Sequence, residues 1–147
     1  MPGDHKFFID TNLLLYAVDR SAEHKRERAW TWLEALWTTS SAHISWQVLH
    51  EFYANAVGKL GAETGAARRF VHTYAQWSPV ETTFGLIEGA WDWMDRAKIS
   101  YWDGLIISAA ERSGCNALLT EDLQAGRRFG DVTIVNPFSK IPSDFGL

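Results

Sequence analysis

Four acidic residues stand where a short apolar run ends or a helix begins: Asp10, Glu51, Asp103 and Asp122, the last with Glu121 beside it as an alternative. Carboxylates gathered within a few ångströms repel, and their pKa values rise unless a cation compensates. A divalent ion is the ordinary compensation, and oxygen-only ligands favour Mg2+, or Mn2+, over zinc. An ion held in this way can activate a bound water and offset charge on a phosphate oxygen, which is the chemistry of phosphodiester hydrolysis. Each acid taken singly has a plainer role. Asp10 and Asp103 suit helix N-caps, Asp122 suits a turn, and Glu51 suits the edge of a helix. Glu51 is the hardest to set aside, because it borders the stripe of Val48, Leu49 and Phe52, where a solitary carboxylate is costly.

The elements that must position these acids follow from the hydrophobic pattern. Phe7-Phe8-Ile9, Ala117–Thr120 and Val132–Val135 are short apolar runs suited to buried strands. His43–Trp46 and Pro79-Val80-Glu81 read as briefer ones. Between them lie helical patterns: Leu13–Ala17; a longer helix with Ser21 as N-cap and Ala29, Trp30, Leu33 and Trp37 on its inner face; Val48–Ala56; Ala66–Trp77; Phe84–Ala97; and 104–113, closed by Gly114. Strands separated by helices predict an α/β fold, a parallel sheet with helices on both faces. Ligand sites in such sheets form at the carboxyl ends of the strands. The four acids are therefore expected to share one cleft.

Composition narrows the classes. With 147 residues, 46% hydrophobic and 22% charged, the chain suits a single domain, residues 1–147, and excludes wholesale disorder. Fourteen basic against eighteen acidic residues give a net charge of −4, which by bulk charge does not mark a nucleic-acid binder. The lone Cys115 excludes an internal disulfide or a paired-thiolate zinc site and reads as a small core residue. No apolar run reaches membrane-spanning length and the opening residues carry no apolar leader, so a cytoplasmic protein with no membrane partner is expected. The five histidines form no His-Glu-x-x-His motif. Of the eight tryptophans, Trp30, Trp37 and Trp91 (the last with Met94) fall at helical spacing and are expected in the core; Trp32 and Trp93 lie off those stripes and are candidates for an interface. Basic groups at Lys25-Arg26 with Arg28, at Arg68-Arg69 and at Arg127-Arg128 are solvated helix faces by default. Arg127 and Arg128, close after Asp122, are the best placed to contact RNA phosphates.

Four stretches, Phe8-Ile-Asp-Thr-Asn-Leu-Leu-Leu-Tyr-Ala17, Ser45-Trp-Gln-Val-Leu-His-Glu-Phe52, Tyr101-Trp-Asp-Gly-Leu-Ile106 and Leu118-Leu-Thr-Glu-Asp-Leu123, resemble the PIN-domain ribonucleases, and in particular the VapC toxins of bacterial toxin–antitoxin pairs. The motifs occur in the family's order, and the likeness runs from residue 8 to the Val135-Asn-Pro-Phe138 tail. The resemblance implies a three-layer α/β/α sandwich in which Asp10 and Asp103 are the principal metal ligands. Glu51 and Asp122 would complete a catalytic acidic pocket, with Thr11 and Asn12 orienting its members. It further implies an Mg2+- or Mn2+-dependent endoribonuclease acting on structured RNA, transfer or ribosomal. The expected partners are a second copy of the chain in a homodimer and a cognate VapB-like antitoxin that inserts a segment near the cleft.

Two rivals use similar parts. A phosphoacceptor signalling domain also holds Mg2+ in an acidic α/β pocket, but it needs an acidic pair after the first strand and a late-strand lysine. Here Asp10 is followed by Thr11 and Asn12, and the only late lysine, Lys140, lies beyond the last strand. A non-catalytic interaction module on the same fold would bind RNA or a partner without cleavage, and would keep that binding after Asp10→Asn.

Overall fold

A computed structural model describes residues 4–147, so the expectation about the chain's opening falls partly outside the described residues. Five strands form one sheet: β1 (Phe7–Ile9), β2 (Ala42–His43), β3 (Ala117–Leu119), β4 (Arg128–Phe129) and β5 (Val132–Val135), in the order β2-β1-β3-β5-β4. Every residue of β1 and β3 is buried, as their uninterrupted apolar sequences require when both sheet faces are covered. Among the described residues six α-helices flank the sheet: α1 (Thr11–Val18), α2 (Glu23–Thr39), α3 (Trp46–Gly58), α4 (Thr64–Tyr74), α5 (Phe84–Ala97) and α6 (Tyr101–Arg112). The result is a three-layer α/β/α sandwich. Among the described residues no helix is long and apolar enough to cross a membrane.

The sheet is mixed rather than wholly parallel. β1 pairs in parallel with β2 and β3, and β3 with β5, but β4 runs antiparallel to β5. The cause is local: Gly130 takes φ +61° and, with Asp131, closes a two-residue hairpin between Phe129 and Val132. Pro79-Val80-Glu81 contributes only a single bridge, from Val80 to Ser45, and the second strand ends at His43 because Ser45 caps α3 through its hydroxyl. Ser21 does not cap α2; its amide and hydroxyl both bond Asp19, and Ala22 holds the cap position. The 66–77 segment divides into α4 and a 3₁₀ turn at Ala75–Trp77.

Chain order and strand order disagree at β1, and that places the cleft. From β1 the chain crosses to β2 on one side; from β3 it continues through edge strand β4 to β5 on the other. The connections leaving the carboxyl ends of β1 and β3 therefore diverge, opening a crevice between them. α6 starts near that crevice and packs closely on α5. A Cβ at Gly104 would lie 2.8 Å from the Ala90 carbonyl oxygen, so the glycine is what lets the two backbones approach.

The tryptophans are distributed the opposite way from the expectation. Trp32 and Trp93 are buried, whereas Trp30, Trp37 and Trp91 are among the exposed large hydrophobics. On α2 the buried set is Ala29, Trp32, Leu33 and Leu36, a helical stripe rotated from the one expected. The indole N–H of Trp32 donates to the Pro137 carbonyl at 2.9 Å and the Lys140 carbonyl at 3.1 Å, while its ring meets Phe7 and Phe145. Trp93 donates to Glu111 at 2.6 Å across the α5–α6 contact. Both indoles find acceptors, as burial demands. Trp32→Ala is expected to cost about 3–5 kcal/mol in urea unfolding, and Trp37→Ala less than about 1 kcal/mol. Equal losses would mean that the stripe is misassigned.

Candidate metal centre at the strand switch

Asp10 follows β1 directly and extends its ladder by one bond, its N–H donating to the Leu119 carbonyl. It is also the N-cap of α1, with one carboxylate oxygen accepting from the Thr11 amide at 2.7 Å. The other oxygen accepts from the Thr120 hydroxyl at 2.8 Å. Only 7% of the residue is exposed. Burial, partly offset by these two bonds and reinforced by the charges of Asp122 and Glu51, pushes the Asp10 carboxyl up to about 7.

The other acids arrive from three separate segments. Glu51 sits in the second turn of α3, fixed by the side-chain amide of Gln47 one turn earlier (2.8 Å) and, at 3.4 Å, by the Thr11 hydroxyl. Asp122 follows β3, and its carboxylate accepts from the Asn12 amide at 3.1 Å. Asp103 lies in the first turn of α6, which begins at Tyr101, earlier than its hydrophobic pattern suggested; Ser100 caps that helix through a bond to the Asp103 amide. The Asp103 carboxylate is therefore not needed as a cap. Its pKa is raised, first by partial burial and then by the charge of Asp122, with Ser100 working the other way. Asp10 is thus acted on by Glu51 and Asp122, and Asp103 by Asp122, so the four expected acids form one electrostatic group.

Glu121 has a different role. It pairs with Lys25 at 2.7 Å, and Lys25 also contacts the hydroxyl and ring face of Tyr16. Arg127 donates to the Ala97 carbonyl at the end of α5 and lies over the Phe129 ring, while Arg128 is exposed on edge strand β4. Neither arginine bonds a member of the acidic group. Two further residues belong to the site without having been singled out from the sequence. Gln47 steadies Glu51 from four residues away, a spacing readable in the chain. The Thr120 hydroxyl donates to Asp10 and accepts from the Asn12 amide at 3.0 Å and the Asp122 backbone N–H at 3.1 Å. Thr120 follows the Ile9–Leu119 pair of the ladder and so stands level with Asp10.

The donor set suits a hard divalent cation, being made of carboxylates with no thiolate or imidazole. Asn12 adds a buried carboxamide oxygen that has no hydrogen-bond partner. Among the described residues no three Asp, Glu, His or Cys side chains converge to ready-made ligand spacing. Mg2+ accommodates this, since it keeps several waters and is commonly held by one or two carboxylates rather than by a full protein cage. The residues present therefore fit the ion, with Asp10, Asp103 and Asp122 as the groups able to hold it.

The family model of the PIN domain matches residues 7–129, which span all four acids, and the chain belongs to that family. PIN domains are generally nucleases and typically use divalent metals. A search among curated proteins finds no match to the chain.

The burial of Asp10 fixes a pH dependence for the metal-free protein. The folded chain keeps the Asp10 proton up to about pH 7, whereas the unfolded chain releases it near its ordinary value of 3.8. Between those values the folded state binds more protons, so stability falls as pH rises through the window and levels off above it. In EDTA, Asp10→Asn should flatten that slope and stabilise the protein at pH 8 by on the order of 2–4 kcal/mol; an unchanged slope in thermal melts from pH 4 to 8 would contradict it. Thr120→Val leaves the Asn12 and Asp122 donors without their shared acceptor and is expected to cost about 1–3 kcal/mol, read by the same melts.

Proposed function

We propose that the protein is a divalent-metal-dependent endoribonuclease, the toxin member of a VapC-type toxin–antitoxin pair, cleaving structured transfer or ribosomal RNA. The observation that carries this reading is the electrostatic coupling of four carboxylates from four distant segments at the strand-switch crevice, Asp10 with Glu51 and Asp122 and Asp103 with Asp122, with Asp10 raised to about 7 by burial. Helix capping accounts for Asp10 alone; it gives no reason for Glu51 and Asp122 to act on Asp10, or for Asp103 to lie within reach of the Asp122 charge.

In this reading Asp10 and Asp103 are the principal ligands and Asp122 the fourth acid, Glu121 being engaged with Lys25. An ion held there would supply a water of lowered pKa and charge compensation at a phosphate oxygen. Thr120 holds Asp10 and the start of the Asp122 loop in fixed relation. Gln47 and Thr11 keep the Glu51 carboxylate at the edge of the group, where it can orient water through one oxygen. Asn12 ties α1 to Asp122 and leaves its own carboxamide oxygen free for a donor.

A groove supports the antitoxin part of the reading. About 830 Å³ in volume, it lies between α1, α2, α3 and α4 with Trp30, Phe52, Ala56 and Phe70 in its walls and Arg20 and Arg26 among its charges. It shares Asp19, Lys59 and Leu60 with a smaller cavity of about 320 Å³ that reaches Glu51 and Asp122. A partner segment laid in the groove would have a continuous route to the acids. Homodimerisation is part of the same proposal, and the exposed rings of Phe84 and Trp91 on α5 offer an apolar surface for it.

The test is calorimetric titration of partner-free protein with Mn2+, followed by incubation with transfer and ribosomal RNA in Mg2+. Wild type is expected to bind the ion, and Asp10→Asn and Asp103→Asn to bind at least about tenfold more weakly and to leave RNA intact. Identical titrations for all three proteins would reduce the two aspartates to structural residues and remove the reading's basis.

A further inference from the structure

A second cleft, of about 820 Å³, adjoins the acidic group and shares Glu51 with it. Its aromatic walls come from the N-terminal ends of two helices, Trp46 and His50 from α3 and Tyr101 and Trp102 from α6, with Glu81 and Thr82 from the segment before α5 completing it. Each helix also carries one of the acids, Glu51 five residues after Trp46 and Asp103 directly after Trp102. Trp102 is 64% exposed and Trp46 37%, so both rings present a face to solvent at the cleft. The Tyr101 and Trp102 rings stand 5.4 Å apart at 59°, forming an angled aromatic wall rather than a flat patch.

We infer that this cleft is a stacking subsite for an unpaired nucleobase of the RNA strand whose phosphate lies at the acidic group. The inference rests on the ribonuclease reading and deepens it by specifying the form of substrate. Aromatic rings beside a phosphate site are how proteins hold splayed-out single-stranded bases, because every base offers a face to stack on. A paired base keeps its faces within the helix stack and cannot enter. The polar part of the wall agrees: Gln47 supplies an amide, His50 an imidazole and Glu51 and Glu81 carboxylates, groups that meet a base edge, whereas among the described residues no lysine or arginine lines the cleft to bind a phosphate there. The cleft is continuous with the acids through Glu51, so a base seated in it and a phosphate at Asp10 and Asp103 belong to the same short stretch of strand.

The experiment is fluorescence anisotropy with a labelled single-stranded RNA hexamer and a labelled, fully paired RNA hairpin, in an Asp10→Asn background that removes the proposed cleavage. Adding Trp102→Ala should weaken hexamer binding roughly tenfold, Trp102→Phe should restore most of it, and hairpin binding should be weaker than hexamer binding and unmoved by either change. Trp46→Ala should act on the hexamer in the same direction. Hexamer binding unchanged by both alanine substitutions, or absent from the start, overturns the subsite. Sedimentation of the same proteins adds a further refuting outcome: if Trp102→Ala turns a dimer into a monomer, the cleft is covered by a second copy of the chain. Cleavage of RNA by the wild type in Mg2+ is scored separately, so the subsite can fail while the nuclease stands, and the absence of both fails the parent reading as well.

Discussion

The hydroxyl of Thr120 joins the two halves of the site. It donates to Asp10 at the end of β1 and accepts from Asn12 on α1 and from the Asp122 backbone just past β3. Three groups on diverging segments are thereby referred to one oxygen atom. The adjacent strands deliver those segments to the same level, and the hydroxyl holds them there against the mutual repulsion of the carboxylates. A fully bonded polar group in a buried setting rigidifies its surroundings, since each partner would be costly to leave unpaired. The rest of the site is arranged around that fixed pair: Glu51 leans on Thr11, the residue next to Asp10, and Asp103 faces Asp122 from α6.

Much of this was legible in the chain because it is local. Apolar runs ending in Asp10 and in Thr120-Glu121-Asp122 located the strand ends, and the alternation of strands and helices supplied the layers. The antiparallel β4 was also written locally, in Gly130-Asp131 between Phe129 and Val132, a two-residue hairpin signal of the usual kind. The distinction between Glu121 and Asp122 was not readable. It depends on Lys25, nearly a hundred residues earlier, drawing one carboxylate away while Asn12 holds the other.

The tryptophans make the same point about distance. On α2, residues 29, 30, 33 and 37 and residues 29, 32, 33 and 36 both satisfy a helical period, so periodicity alone cannot rotate the helix. The choice is made by the C-terminal segment, whose Pro137 and Lys140 carbonyls accept from Trp32 and whose Phe145 packs against it. On α5, Trp93 faces inward because Glu111 on α6 accepts its indole proton. A large amphipathic ring goes where an acceptor waits, and that acceptor lies far along the chain.

The approach of α6 to α5 has a consequence for how this sequence can drift. Gly104 is free of side chain because the Ala90 carbonyl occupies the space a methyl group would need. Asp103 is its immediate neighbour on the same turn, so whatever pushes residue 104 off α5 carries the carboxylate with it. The tolerance of position 104 to substitution is therefore set by the acid beside it. A rule of interior packing here acts as a filter on surface chemistry, and variation at an atom that never meets a ligand would register as a change in the ligand's hold.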